Sequence, residues 1–416
     1  MTANVKQLGP IGDKELRERA YAVIPAGMYG HMRAKDVAPS SPQFFERASG
    51  CHLYDYDGRE YIDFMCSWGP IILGHHHPKV DAAAREQQAR GDCMNGPSAA
   101  MVELAEEFTR SVPYADWAMF CKNGTDATTL CLMIARAQTR RSKILAARGS
   151  YHGSAPWCNP WNRGLLPEDR AHMRYFEYND LENLRDAADK LGDELAGVIV
   201  TPFRHDSGFD QELVNPEFAR GVRELCSERG AALILDEVRA GLRMGRHGSW
   251  EAIGVRPDLA AWGKAIGNGY PISAVLGADE FRRGGERVFA TGSFWFAAVA
   301  MAASVATLET IDEEGALAVI SRMGGLLREG LARQASAHGV AVHQTGPIEL
   351  PNLGFPSDER HERAIVFADE AARHGVYVHP QHNWFLSAAH TERDIENTLD
   401  ATDHAFARVR REFGGG

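Results

Sequence analysis

Between residues 117 and 277 the chain carries five short runs that are apolar at nearly every position: WAMF (117–120), KILAA (143–147), AGVIV (196–200), AALIL (231–235) and ISAVLG (272–277). Helix-length segments of mixed polarity separate them. A strand with one solvated face alternates apolar and polar residues, whereas a strand apolar throughout needs cover on both faces. The pattern therefore predicts an α/β fold: a mostly parallel sheet with helices on both sides. It also says where to look for chemistry, because ligands of such sheets sit beyond the carboxyl ends of the strands.

Four of those places hold notable residues. After WAMF the chain reads CKNGTDATT, with Gly124 and Thr125 where a loop becomes a helix. Free backbone N–H groups and the helix dipole suit an anion such as phosphate there, although a capped helix start explains the same residues. After KILAA comes RGSYHGSAPW, with Tyr151 at the mouth of the sheet, as a stacking plate or as ordinary loop filling. Asp236 follows AALIL directly, and a carboxylate behind an apolar strand needs a partner. That partner is either a nearby backbone group or a cationic nitrogen of a ligand. In RPDLAAWGKAIGNGYPISAVLG, Lys264 ends an apolar run among Gly263, Gly267 and Gly269. It is a solvated loop lysine or an amine that bonds to a group brought close to the backbone. None of the four is specific alone. Together they supply an anion cradle, an aromatic plate, an anion for a ring nitrogen and an amine, which is what pyridoxal 5'-phosphate requires of a protein. Such a lysine must lose its proton to act as a nucleophile, and desolvation beside other cations favours that.

The flanking regions read as a smaller α/β unit. A helix is expected from Asp13 to about Ala22, then a hairpin in CHLYDYDGREYIDFM with a tight primed turn at Asp57-Gly58. FAAVAMAASVATLETI and ERDIENTLDATDHAFARVRREF read as long helices, with AVHQTG and GVYVHP as strand candidates between them. The expected division is 1–75 as an N-terminal segment contributing to the small domain, 76–300 as the large cofactor-binding domain, and 301–416 as the C-terminal small domain. A net charge of −11 argues against nucleic acid as a partner. No apolar run approaches the roughly 20 residues of a membrane span, and the N-terminus lacks the apolar core of a signal peptide. Seven scattered cysteines without a CxxC pair point to reduced thiols in the cytoplasm. GHHHP (74–78) reads as a turn before a helix starting at Pro78 rather than a metal site, so no metal is expected. Lys264 precedes the glycines of GNG, the reverse of a Walker loop.

ILDEVRAGLR followed by RPDLAAWGKAIGNGYPISAVLG resembles the class III (subgroup II) aminotransferases of PLP fold type I. Over most of the chain the sequence is most similar to the glutamate-1-semialdehyde aminomutases, through PAGMYGHMRA, YIDFMCSWGPIILGHHHP, KNGTDA, YHG and LSAAHTERDIENTLDA. The resemblance implies a large domain with a mostly parallel sheet and a small domain built from both termini. It implies that Lys264 forms the internal aldimine and shuttles a proton, and that Asp236 pairs with the pyridinium nitrogen. Val238 and Tyr151 would flank the ring, and Asn123, Gly124 and Thr125 would hold the phosphate. Ser293, in ATGSFWF, stands where a family threonine reaches the neighbouring subunit's phosphate, which implies a homodimer with shared sites. Arg33 and Trp68 fall where the aminomutases contact substrate, Arg33 pairing with a carboxylate.

The departures lie on the substrate side. FWFAA replaces a GNP triplet, SAPWCNPWNRG is a shorter and tryptophan-rich loop, and PQHNWFLSAAH lacks a glutamate. Thr201 replaces another glutamate, and Asp206 lies near the place of a ring-contacting asparagine. Trp157, Trp161, Trp295 and Trp384 occupy segments that the resemblance puts around the substrate. Aromatic plates with His382 and Asn383 would suit a cyclic or sugar-like, hydroxyl-rich compound. The expectation is a PLP-dependent aminotransferase moving nitrogen between a small-molecule amino donor and an aldehyde or ketone. An aminomutase or a PLP-dependent epimerase or racemase remains the alternative.

Overall fold

The computed structural model describes residues 12–33, 35–161, 163–206 and 209–414. Most of the N-terminal stretch read for a signal peptide, and the last two glycines, lie outside the described residues.

Seven strands form the large sheet: β1 (Trp117–Cys121), β2 (Lys143–Ala147), β3 (Met173–Phe176), β4 (Leu195–Val200), β5 (Ala232–Asp236), β6 (Leu259–Trp262) and β7 (Ser273–Gly277). Their order is β1-β7-β6-β5-β4-β2-β3. β7 runs antiparallel to both of its neighbours, β6 and β1, and the other pairings are parallel. The reason is connection length. Only residues 263–272 link β6 to β7, too few for the crossover of a dozen or more that a parallel return needs.

The all-apolar runs arise because both faces are covered. In β5, Leu233 and Leu235 enter the main core while Ala232 and Ile234 enter a second core on the opposite face. β2 divides the same way, with Leu145 and Ala147 on one side and Ile144 and Ala146 on the other. β3, in MRYF, is the sheet edge and has an exposed arginine, so it was not among the five runs. β6 is the four-residue apolar stretch that leads into Lys264.

A second sheet joins the two ends of the chain. Phe45–Ser49, His52–Asp55 and Glu60–Asp63 pair antiparallel, and Val376–Tyr377 adds in parallel to Glu60–Asp63. The turn between the second and third strands differs from the expected two-residue primed form. Asp55 and Arg59 close a three-residue loop, and among its described residues Gly58 alone has positive φ, +80°. This is a three-residue hairpin loop, in which glycine takes the left-handed position.

The alanine-rich helix is Ala298–Glu313. Its small side chains allow close packing against helices Pro78–Arg90 and Ala99–Ser111 and against the Lys264 turn. Ser304 Oγ donates to the Ile266 carbonyl at 2.7 Å, tying that turn to the helix. Asn268 braces it from the other side: Oδ1 accepts the Ile72 and Leu73 amides at 3.0 and 2.9 Å, and Nδ2 donates to the Gly74 carbonyl at 3.0 Å.

Candidate active site

Strand register brings the reactive ends together. Asp236 stands opposite Ala261 in β6, Trp262 opposite Ala274 in β7, and Ser273 opposite Cys121 in β1. A cavity of about 600 Å3 opens at this edge. Asn123, Gly124, Thr125, Tyr151, Asp236, Val238 and Lys264, all expected at the cofactor, line it, and Trp68 joins them.

Asp236 is 4% exposed, and its need for a partner is met by His152. The two meet at 2.8 Å through Nδ1 and Oδ2, while Oδ1 accepts the Val238 amide at 3.1 Å. His152 Nε2 has no hydrogen-bond partner among the described residues.

Lys264 adopts φ +50°, a left-handed conformation uncommon outside glycine, and turns the chain sharply after β6. Its side chain is half-buried and lines the cavity. Burial is the main cause that pushes its ammonium down to about 7; Arg239 and Arg243 push the same way and Asp236 opposes them. A lysine depressed in this way destabilises the fold fully below pH 7, and the penalty fades as pH rises toward the ordinary lysine value.

Gly124 begins the helix Gly124–Thr139. The capping reading holds for this helix start, and the residues read as an anion cradle line the cavity. Asp126 Oδ2 folds back to accept the Asn123 amide at 3.0 Å, and Gly124 and Thr125 face the cavity. A Cβ on Gly124 would lie 2.5 Å from Val238 Cγ1, so the backbone at this turn and Val238 pack with no room for a side chain. Gly153 is similarly constrained, its Cβ falling 2.5 Å from Thr125 Oγ1. A glycine-lined helix start, a buried carboxylate and an amine that sheds its proton near neutrality fit pyridoxal 5'-phosphate.

The family model for class-III aminotransferases matches residues 34–392. The chain is a class-III aminotransferase. It is 49% identical over 400 residues to an aminopentol aminotransferase of Sphingopyxis macrogoltabida, covering 96% of this chain and 95% of that protein. It is 33% identical over 423 residues to a glutamate-1-semialdehyde 2,1-aminomutase of Syntrophobacter fumaroxidans, covering 95% and 97%. Among solved structures it matches the PLP internal aldimine form of the FumI protein of Sphingopyxis sp. MTA144. The TM-score is 0.95 at 49% identity, covering 96% of this chain and 97% of that one. The class-III aminotransferase thus has PLP fold type I, depends on pyridoxal 5'-phosphate, and moves an amino group between a small-molecule donor and a carbonyl acceptor.

The aminotransferase's remaining expected residues divide. Trp68 reaches the cavity from a turn in which Cys66, Ser67 and Trp68 have φ of +46°, +54° and +66°, a run of left-handed non-glycine residues. Its ring meets those of His382 at 5.0 Å and His379 at 5.3 Å. Trp384 is 3% exposed and lies in the core against Phe64 and Phe367, off the cavity wall. Trp157 donates its indole N–H to Thr129 Oγ1 at 3.0 Å and stacks beside His152, behind the wall. Arg33 is half-buried and Ser293 is exposed, and neither lines this chain's cavity. Trp161 is exposed, and Trp295 packs on the second core. Thr201 is fully buried, and Asp206 pairs with Arg204 at 2.8 Å.

Lys122, His152, His205 and Arg239 are among the wall residues that escaped the sequence reading. Lys122 and Arg239 stand one and three residues past β1 and β5, so the strand-end rule pointed toward them, but a cation there carries no pattern of its own. His75, His76 and His77 pair separately with Asp63, Asp81 and Glu314. Among the described residues, one group with metal-ligand spacing occurs, Cys51–His52–Asp394, and there Asp394 Oδ2 already accepts the amide of Thr391, the N-cap of helix Glu392–Phe413. No helix among the described residues is long and apolar enough to cross a membrane.

Proposed function

We propose that this aminotransferase exchanges nitrogen at the amine-bearing carbon of a hydroxyl-rich compound, an amino polyol in the first instance, in two half-reactions at one cavity. The observation that carries this reading is Lys264, a strained lysine with a depressed pKa, facing the same cavity as Asp236. The likeness to an aminopentol aminotransferase supports the amino polyol. So does a wall of Trp68, His205, His382 and Tyr151, which offers aromatic faces and hydrogen-bonding edges.

When bound, the cofactor supplies an aldehyde and an electron-withdrawing ring. Lys264 Nζ is the group that attaches to it and that takes and returns the proton at the substrate's amine-bearing carbon. Asp236, held in place by His152, would face the ring nitrogen. Val238 and Tyr151 hold the ring between them. The amides of Gly124 and Thr125, the Thr125 hydroxyl and Asn123 hold the phosphate. Trp68 belongs to the substrate wall. Arg33, Trp157 and Trp384 stand off that wall and have no part in this proposal.

The proposal includes a homodimer in which Ser293 completes the partner's phosphate site. Exposed Tyr29, Trp161, Phe289 and Phe294 are large apolar side chains that a second copy would cover. The division at residues 75 and 300 is retained with it, as is a cytoplasmic location, supported by seven free cysteines. The test is to add an amino polyol to the cofactor-loaded protein with no acceptor present. The cofactor's visible band should bleach with one equivalent of carbonyl product. A band that bleaches with amino acids yet never with an amino polyol would remove the polyol from the reading.

A further inference from the structure

The cavity carries a lysine that the assignments above leave unused. Among the described residues, its wall holds three lysine or arginine side chains, Lys122, Arg239 and Lys264. Arg239 and Asp236 both act electrostatically on Lys264, so those two cations belong to the Asp236 part of the site. Lys122 belongs to the helix start instead. It is the first residue after β1 and directly precedes Asn123, Gly124 and Thr125, which line the cavity with it. Its Nζ donates to the Pro271 carbonyl at 2.9 Å. That bond pins the amine between the helix start and Pro271–Ser273, the segment that enters β7 and also lines the cavity. An ammonium has three N–H donors, and Pro271 is the hydrogen-bond partner of this one among the described residues. No carboxylate lies within ion-pair distance of Lys122 among those residues. Asp92 acts on it from farther away, and Asp92 Oδ1 accepts the Val299 amide at 2.9 Å. Burial lowers the pKa of Lys122, an effect that an anion bound beside it reverses.

A half-buried amine hydrogen-bonded to a neutral carbonyl suits an anion that enters the cavity from solution. The groups given to the cofactor's phosphate above are backbone amides, Asn123 and hydroxyls, and all of them are neutral. We propose that Lys122 Nζ is the charge that holds the cofactor's phosphate, keeping its bond to Pro271 and giving its remaining N–H groups to phosphate oxygens. The demand for such a charge is set by the two half-reactions. Lys264 lets go of the cofactor once nitrogen has been transferred, and from then on non-covalent contacts alone retain it. This inference rests on the phosphate lying at the Gly124–Thr125 helix start, and it names a residue which that reading did not include.

The test titrates the full-length chain, freed of cofactor, with pyridoxamine 5'-phosphate and with pyridoxamine, and follows protein fluorescence. The second compound has the same ring and amine but no phosphate. Neither can bond covalently to Lys264, so both report non-covalent binding. The wild type should bind the phosphorylated compound more tightly. In Lys122→Gln that preference should shrink about 10- to 100-fold, the scale of a lost hydrogen bond to a charged group, with pyridoxamine binding unchanged. Lys122→Arg keeps a cation and should stay nearer the wild type. A readout on the wild type covers the case of a glutamine variant that fails to fold: pyridoxamine 5'-phosphate should protect Lys122 from acetylation, mapped by peptide mass, and pyridoxamine should not. The proposal is overturned by a preference that survives the substitution, or by a Lys122 that acetylates as freely with the phosphorylated compound bound. It is overturned equally if both compounds weaken together, since Lys122 would then support the helix start and not the phosphate. A wild type that binds the two compounds alike would remove the phosphate from this helix start, and the proposal with it.

Discussion

The floor of the cavity and its outer wall are built by different means. The floor comes from strand ends: Gly124 and Thr125 after β1, Asp236 and Val238 at β5, Lys264 after β6. Sheet register fixes their spacing, so each sits beside an apolar run. The wall adds Tyr29, Trp68, His205 and His382, from segments far apart in the chain, to the loop residues Tyr151 and Arg239. Their positions depend on how the second sheet and the C-terminal helices pack, and on strained turns such as Cys66–Trp68. The lesson is that common cofactor chemistry is held by regular structure, while substrate choice is held by loops that are free to vary.

Two substitutions sharpen that contrast. Trp384 belongs to the segment that sequence resemblance put on the wall, yet it fills the core. Trp384→Ala should cost about 3–5 kcal/mol of folding stability by chemical denaturation, the range for emptying a buried aromatic site. The kinetics of the folded fraction should be preserved. A raised KM for the amino donor with an unchanged unfolding midpoint would return Trp384 to the wall. On the floor, Asp236→Asn removes the carboxylate that meets His152 and that we propose pairs with the ring nitrogen. It should lower kcat about 100- to 1000-fold, the scale of a lost preorganised electrostatic contact, with little change in unfolding. A variant near wild-type turnover would show that the floor does not do this chemistry.

The legibility of the sequence follows the same division. The five apolar runs all became strands because burial on both sheet faces leaves no polar position to blur them. Lys264, Asp236 and Gly124 could be found because the rule about strand ends is local. β3 was missed because an edge strand carries polar residues. The hairpin was read with the wrong turn because Asp57-Gly58 suits both loop forms, and the choice depends on whether Asp55 pairs with Arg59. His152 stands next to Tyr151 in a motif that was read, yet its role depends on an aspartate 84 positions away. Trp157 and Trp384 lie off the wall for the opposite reason: a segment can border the pocket while a particular side chain in it points away.

The central claim is that Lys264 is the cofactor's amine because its surroundings hold it neutral near physiological pH. The most direct measurement is to trap the cofactor on the cofactor-free protein with borohydride at a series of pH values and to map the modified peptide. The account predicts label on the peptide containing Lys264, with the initial trapping rate rising through a midpoint near pH 7 as the ammonium gives up its proton. Label on Lys122, the other lysine of the cavity, or a midpoint near the ordinary lysine value of about 10.4, would contradict it.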